Sequence, residues 1–396
     1  MICKGRGQCG KPCKILLSFK KYQPKINLEF CGSAPEIFVG RHNYPDVFAG
    51  ILSPNEYGNT QNLSMPEIWF SEDYSVEEIM RSRSRMVYAR FEGNIKKKNR
   101  FTEVMQEVAL ASKPVATEFK LKKKPSASFS LDSHSAIIGN PAPLQSARLE
   151  ENPKVEKKAD YVSSDYDLHA VNAINELYTS GIEVSNIIKI LSAGLIGLKS
   201  KRKMVPSRWA ITATDDTISK SLLENIRNYR QIQQFLLFNS EYLGNHYEII
   251  LMPREFNFEV IEAKMQGSVW NPSTDSEIFV MQDYELFNGR KEYASNVTGA
   301  YYANRLAICE YLKGIKRQAS CLVMREVRQE YWAPCGVGIL REASRNAFAK
   351  QPEKFQTLDE ALDAAQKRLI LPVSFFAERS KVIQHFKKQK RLFDFA

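Results

Sequence analysis

Tyr247-Glu248-Ile249-Ile250-Leu251-Met252-Pro253-Arg254-Glu255-Phe256-Asn257-Phe258-Glu259-Val260-Ile261 opens the stretch that decides the fold class. From Tyr247 to Val280, three short segments rich in Ile, Val, Phe and Tyr alternate with turns, the pattern of an antiparallel sheet. Helical patterns dominate after it. Ala300 to Gly314 reads as a helix and Leu322-Val323-Met324 as a strand. Thr357-Leu358-Asp359-Glu360 has the form of a capping box opening a helix over Ala361 to Arg368, and Pro372 breaks that helix. Strands and helices follow one another without a regular βαβ beat. The expectation is therefore α+β, multidomain, with a mainly helical C-terminal domain.

Upstream of that stretch, Trp209-Ala210-Ile211-Thr212-Ala213-Thr214 reads as a strand, with Asp215 and Asp216 closing it and opening a helix from Thr217 to Tyr229. The basic run Lys199-Ser200-Lys201-Arg202-Lys203 leads into it. Leu168, Val171, Ile174 and Leu177 recur every three residues behind Asp165, with Gly181 ending that helix. Ile187 to Leu198 reads as a buried helix interrupted by Lys189, too short for the roughly 20 apolar residues of a membrane span. Residues 139–165 hold three prolines and little periodicity, which reads as a long surface loop. Lys120 to Pro125 reads as a basic edge strand or loop. Ser75-Val76-Glu77-Glu78 is a second capping box, opening a helix that carries Arg81, Arg83 and Arg85. That arginine row suits either a phosphate clamp or a solvated face. A further helix is read over Phe101 to Leu110, and residues 35–65 read as loops and short strands.

At 396 residues the chain has room for two or three domains. The expected division is a Cys-rich segment over 1–34, an α+β core over 35–275, a C-terminal domain over 276–380 and a basic tail over 381–396. The N-terminus is rich in Cys and Lys rather than apolar, so the chain is read as cytoplasmic, without a membrane partner.

The net charge of +11 is unevenly placed. Residues 1–31 hold seven Lys or Arg and one acid, and residues 379–396 hold six and one, which leaves the rest neutral overall. Basic ends on a neutral body suggest electrostatic arms for a polyanion such as DNA.

Cys3, Cys9, Cys13 and Cys31 fall within the first 31 residues, with Gly5, Gly7, Gly10 and Pro12 among the first three. Thiolates in a glycine-rich loop suit tetrahedral zinc, and so short a segment would draw its folding free energy from the metal. The expected cofactor is structural Zn²⁺. Cys309, Cys321 and Cys335 read as buried small apolar residues.

The chain ends Gln389-Lys390-Arg391-Leu392-Phe393-Asp394-Phe395-Ala396. In a turn of 3₁₀ helix, residues three apart eclipse, so Leu392 and Phe395 would form one apolar plug with Gln389 beside it. This resembles the peptide by which replication and repair proteins dock on the DNA sliding clamp (PCNA). The clamp peptide usually ends in two aromatics, and here Ala396 follows Phe395 and Phe393 lies within. The competing reading is a basic amphipathic helix packed on the body.

There is no G-x-x-x-x-G-K-[ST], no G-x-G-x-x-G after a strand, no H-E-x-x-H and no G-x-S-x-G. Candidate catalytic residues are confined to Arg41, Asp132, His134, Arg208, Asp215 and Asp216, where a pocket would require their convergence.

Several stretches together resemble the archaeal Nre family of DNA-repair proteins: Cys3 to Gly10, Phe38-Val39-Gly40-Arg41, Leu131-Asp132-Ser133-His134, and Met204 to Trp209 running on to Asp215-Asp216. The resemblance spans nearly the whole chain. It implies an N-terminal metal-binding segment, an Nre core, a separate C-terminal domain and recruitment to the sliding clamp during repair. The family's cysteine cluster begins three places ahead of the position matched by Cys3, which would lie before Met1. Either Cys31 replaces that ligand or the chain starts late. The reading is thus a zinc-binding, clamp-recruited DNA-repair factor. Its rivals are a DNA-modifying or DNA-cleaving enzyme and a zinc-ribbon RNA-binding protein.

Overall fold

The computed structural model describes residues 13–388 except 127, 131, 133 and 274–276. Cys3, Cys9 and the terminal peptide from Gln389 to Ala396 lie outside the described residues. The chain divides into two compact units. An N-terminal unit runs to Ile218 and takes back Ala333–Ile339; a C-terminal unit holds Ser219–Trp332 and the chain from Leu340 onward.

The N-terminal unit contains, in order, α1 (Lys14–Tyr22), β1 (Glu29–Ala34), β2 (Glu36–Val39), β3 (Asp46–Ser53), α2 (Pro66–Ser71), α3 (Val76–Ser84), β4 (Val87–Asn94), α4 (Arg100–Leu110), β5 (Val115–Leu121), β6 (Phe129–Ser130), β7 (Ile138–Gly139), β8 (Pro141–Leu149), α5 (Lys157–Ser164), α6 (Ala170–Thr179) and α7 (Val184–Ser192). The helix α8 (Ser207–Ile226) begins in this unit. Its main sheet has the order β1-β5-β8-β4-β3-β2, antiparallel except where β4 meets β8. Strand β5 shows why the sheet has one covered face: Val115, Thr117, Phe119 and Leu121 are buried, and the residues between them are only half-buried. Phe119, Ile51, Ala89 and Val39 pack with Met105 and Val108 of α4 and with Met204.

The C-terminal unit contains β9 (Phe235–Tyr242), β10 (Asn245–Met252), β11 (Asn257–Lys264), β12 (Phe279–Glu285), α9 (Gly299–Ile315), β13 (Ser320–Val327), α10 (Gly338–Ala349), β14 (Glu353–Phe355), α11 (Leu358–Gln366), α12 (Val373–Ala377) and α13 (Lys381–Lys388). Its sheet has the order β12-β11-β13-β10-β9-β14, with β11 and β13 parallel. One face carries Ile250, Met252, Ile261 and Met324 against Ala361, Phe376, Val382 and Ile383 of α11, α12 and α13. The other meets aromatic rings, with Phe258 lying 4.9 Å from Tyr301 of α9 and Phe238 lying 4.8 Å from Phe348 of α10. A buried carboxylate fixes the last helix. Glu259 of β11 accepts from the backbone amides of Lys381 and Val382, each at 3.0 Å, and from the Ser380 hydroxyl. These are amides that a helix N-terminus leaves without an internal partner, and the carboxylate adds to the cap that the Ser380 hydroxyl gives the Ile383 amide at 3.0 Å.

The mixed α+β character is as expected, but the C-terminal segment is not mainly helical. Its β12, β13 and β14 complete the sheet begun by β9, β10 and β11. The strand expected over Trp209 to Thr214 is part of helix α8, which carries Asp215 and Asp216 in its interior rather than at its cap. The surface loop expected over 139–165 holds β8, an inner strand of its sheet, and α5. Both capping boxes form as read, at Ser75 and at Thr357. Among the described residues, no helix is long and apolar enough to cross a membrane.

Candidate functional site

The site is assembled where β2 ends, α8 begins and the segment between β6 and β7 turns. Ser207, the first residue of α8, is buried, and its hydroxyl accepts from the Val39 amide at 3.0 Å and lies 3.0 Å from the Ser192 hydroxyl. That tie sets the end of β2, and so Gly40 and Arg41 beyond it, beside the first turn of α8.

Arg208 follows, and its Nη1 donates to Oδ2 of Asp132 at 2.9 Å. The other oxygen of Asp132 accepts the His134 backbone amide at 2.7 Å and lies 3.5 Å from His134 Nδ1. Burial pushes the Asp132 carboxyl up, but hydrogen bonds from His134 and the Arg208 charge outweigh it and hold the carboxyl well below the usual range. His134 is buried, which lowers its pKa; the Arg208 and Arg41 charges lower it further against the raising influence of Asp132. The group is thus a neutral imidazole beside a charge-compensated carboxylate.

A distant segment closes over this turn. The Val337 amide donates to the His134 carbonyl at 2.7 Å, and Ala136 bridges Cys335. Between them, Gly336 has φ +87°, and a Cβ built there would stand 2.8 Å from the Ala136 nitrogen. Only glycine meets both demands without strain. On the other side, Arg83 of α3 is buried and donates to the Ile137 carbonyl at 2.9 Å and to Glu36. The arginine row is split: Arg83 is buried and pairs with Glu36, while Arg81 and Arg85 pair with Glu78 and Glu56 on the exposed side of the helix.

The structure therefore brings together Asp132, His134 and Arg208, with Arg41 exposed but close enough for its charge to act on His134. Asp215 is buried two turns along α8 from Arg208, and Asp216 is half-buried beside it. Each oxygen of Asp132 is committed, one to the turn and one to Arg208, so the arrangement locks the first turn of α8 in place. Lys189 shows in the sequence only as an interruption of an apolar run. Lys189 is half-buried, and the loss of water around its ammonium pushes its pKa down to about 8. That ammonium lies 3.3 Å from the Pro35 carbonyl and 3.4 Å from that of Ala111. A pocket of about 270 Å³ lies between α6, α7 and the 196–205 segment, floored by Leu191 and Ile196 and edged by His169, Lys201 and Lys203. Nothing in the sequence marked it.

Of the zinc candidates, Cys13 precedes α1 and Cys31 sits on β1; both are half-buried. Cys309, Cys321 and Cys335 are buried, as expected, and burial pushes all three thiols up.

The comparisons with known proteins divide the chain between residues 271 and 285, a different place from the border of the two compact units. The family model described as archaeal Nre, N-terminal, matches residues 9–271, and archaeal Nre, C-terminal, matches residues 285–395. The chain belongs to the archaeal Nre family. It is 36% identical over 375 residues to the DNA repair protein NreA of Archaeoglobus fulgidus, covering 93% of each chain. It is 35% identical over 394 residues to the DNA repair protein NreB of the same organism, covering 99% of this chain and 98% of that one. Its identity to the DNA repair protein NreA of Haloferax volcanii is 35% over 372 residues, 92% of this chain and 88% of the relative. No solved structure matches.

A pH prediction follows from the His134–Asp132 pair. A histidine whose folded pKa is depressed resists protonation that the unfolded chain accepts, so its contribution to stability is lost as pH falls below about 6.5. Asp132, also depressed, adds a second loss below about 4. The urea midpoint should drop between pH 7.5 and pH 5, and less steeply in a His134→Asn variant. Identical slopes in the two proteins would contradict the assignment.

Proposed function

We propose that this protein is a DNA-repair factor recruited to the DNA sliding clamp through its last residues. The observation that carries the reading is near end-to-end similarity to three proteins named for DNA repair, taken with the terminal peptide. Gln389, Leu392, Phe393, Phe395 and Ala396 supply the elements of a clamp-docking peptide. The helix before it supports the reading: Val382 and Ile383 of α13 are buried in the body while Lys387 and Lys388 are exposed. The basic residues flanking the peptide would speed encounter with an acidic clamp surface, an effect that fades with salt. DNA is the second partner, met in part by the basic chain ends.

Each apolar anchor is worth about 1.5–3 kcal/mol on burial, so a Leu392→Ala/Phe395→Ala variant should bind the clamp about a hundredfold more weakly or worse. Calorimetry against the organism's own clamp measures this, alongside thermal unfolding. Unchanged affinity, or a melting point lower by many degrees, would show that these side chains belong to the core instead.

The same reading includes one structural zinc ion held by Cys3, Cys9 and Cys13, with Cys31 as fourth ligand. Four thiols are a donor set suited to a closed tetrahedral zinc site. The half-buried state of Cys13 and Cys31 keeps them within reach, in contrast to the three core cysteines. Elemental analysis should find one zinc per chain, lost in Cys9→Ser; metal-free protein with an intact N-terminus would rule this out.

A further inference from the structure

We propose that the N-terminal unit carries a binding face for single-stranded DNA, built on two exposed aromatic rings, Tyr44 and Trp209. This rests on the DNA-repair role proposed above and adds a site in the body of the protein. The rings are each 42% exposed, and their centroids lie 5.1 Å apart. Phe48 is exposed nearby on the same hairpin, with the Arg90 guanidinium 4.2 Å above its ring.

Three segments remote in sequence are stitched together here. The hairpin between β2 and β3 closes through Gly40 to Phe48 at 2.7 Å and Asp46 to Asn43 at 2.9 Å. The Ile95 amide, just past β4, donates to the Pro45 carbonyl at 3.0 Å, and the Met204 amide donates to the Ile95 carbonyl at 2.9 Å. Lys203 Nζ reaches the Tyr44 hydroxyl at 3.4 Å. These junctions join to the ring-bearing segments the stretches that carry exposed Arg41, Lys96, Lys97, Lys98, Lys201 and Lys203. The acids of the same segments are Asp46, which accepts from Asn94 at 2.9 Å, and Glu92. The body is neutral on average, but here its charge is concentrated and positive.

The chemistry of the face selects its ligand. Large rings left in water amid cations offer stacking platforms for bases and counter-charges for phosphates, the combination used for unpaired strands. Duplex DNA hides its base faces in its own stack, so it can use the cations but not the rings. A protein partner would favour an apolar centre depleted of charge, and the segments around this centre carry a clear excess of cations.

The test is fluorescence anisotropy of the full chain with a labelled oligothymidylate of roughly 20 nucleotides. Tyr44→Ala and Trp209→Ala should each weaken binding about tenfold and the double variant about a hundredfold, with Trp209→Phe recovering most of the loss. The aromatic variants should keep the salt slope, while Lys97→Ala/Lys203→Ala should flatten it by about 0.7 for each phosphate left without its lysine. A blunt duplex of equal length should compete poorly. Unchanged affinity in the double aromatic variant, equal competition by the duplex, or no binding by the full chain would overturn the proposal. Clamp affinity of the double aromatic variant should be intact, and failure of the chain to bind the clamp at all would count against recruitment while leaving the oligonucleotide result standing.

Discussion

A single buried hydroxyl organises the candidate site of the N-terminal unit. Ser207 accepts the last amide of β2 and meets the hydroxyl of Ser192 at the end of α7, so three elements converge on one atom. Because it begins α8, the direction of that helix and the positions of Arg208 and Trp209 follow from it. Arg208 then meets Asp132, Asp132 holds the turn at His134, and Val337 seals that turn from outside. Buried polar contacts of this kind are costly to leave unmade, so the arrangement tolerates little slack. The same junction sets Trp209 beside Tyr44. A locked interior network and an exposed aromatic face are thus two sides of one helix start.

How much of this was legible depended on distance along the chain. Both capping boxes were readable because the Ser75–Glu78 and Thr357–Glu360 pairs lie three residues apart and make their own hydrogen bonds. The Trp209–Thr214 run, rich in aromatic and β-branched residues, has strand composition, yet it is helical. Pro206 and Ser207 ahead of it were helix-start signals of the stronger kind, and the packing of the first turn decides the outcome. Strand β8 was hidden by Pro141 and Pro143. Prolines cannot donate to a ladder, but here their carbonyls accept from Ser126 and Lys122, so the missing amides cost little.

At the site, the polar residues were visible one by one and their partnership was not. Asp132 and Arg208 are 76 residues apart, and the Val337 clamp reaches back from the part of the chain matched by the C-terminal family model. No local pattern announces such pairings. The basic face was concealed for a related reason: its lysines belong to short runs whose charge is cancelled elsewhere along the body, and only the fold brings the runs together. The helical expectation for the C-terminal segment failed similarly, since β12, β13 and β14 gain their partners from strands earlier in the chain.

The central claim is that the body of this protein acts in DNA repair only when its last residues deliver it to the clamp. The most direct measurement is survival, after ultraviolet and alkylation damage, of cells lacking the chromosomal gene and supplied with either the full chain or a chain ending at Lys388. The full chain should restore survival and the shortened one, present at equal level, should not. Equal rescue by both would contradict recruitment through the tail, and no sensitivity in the deleted cells would contradict the repair role itself.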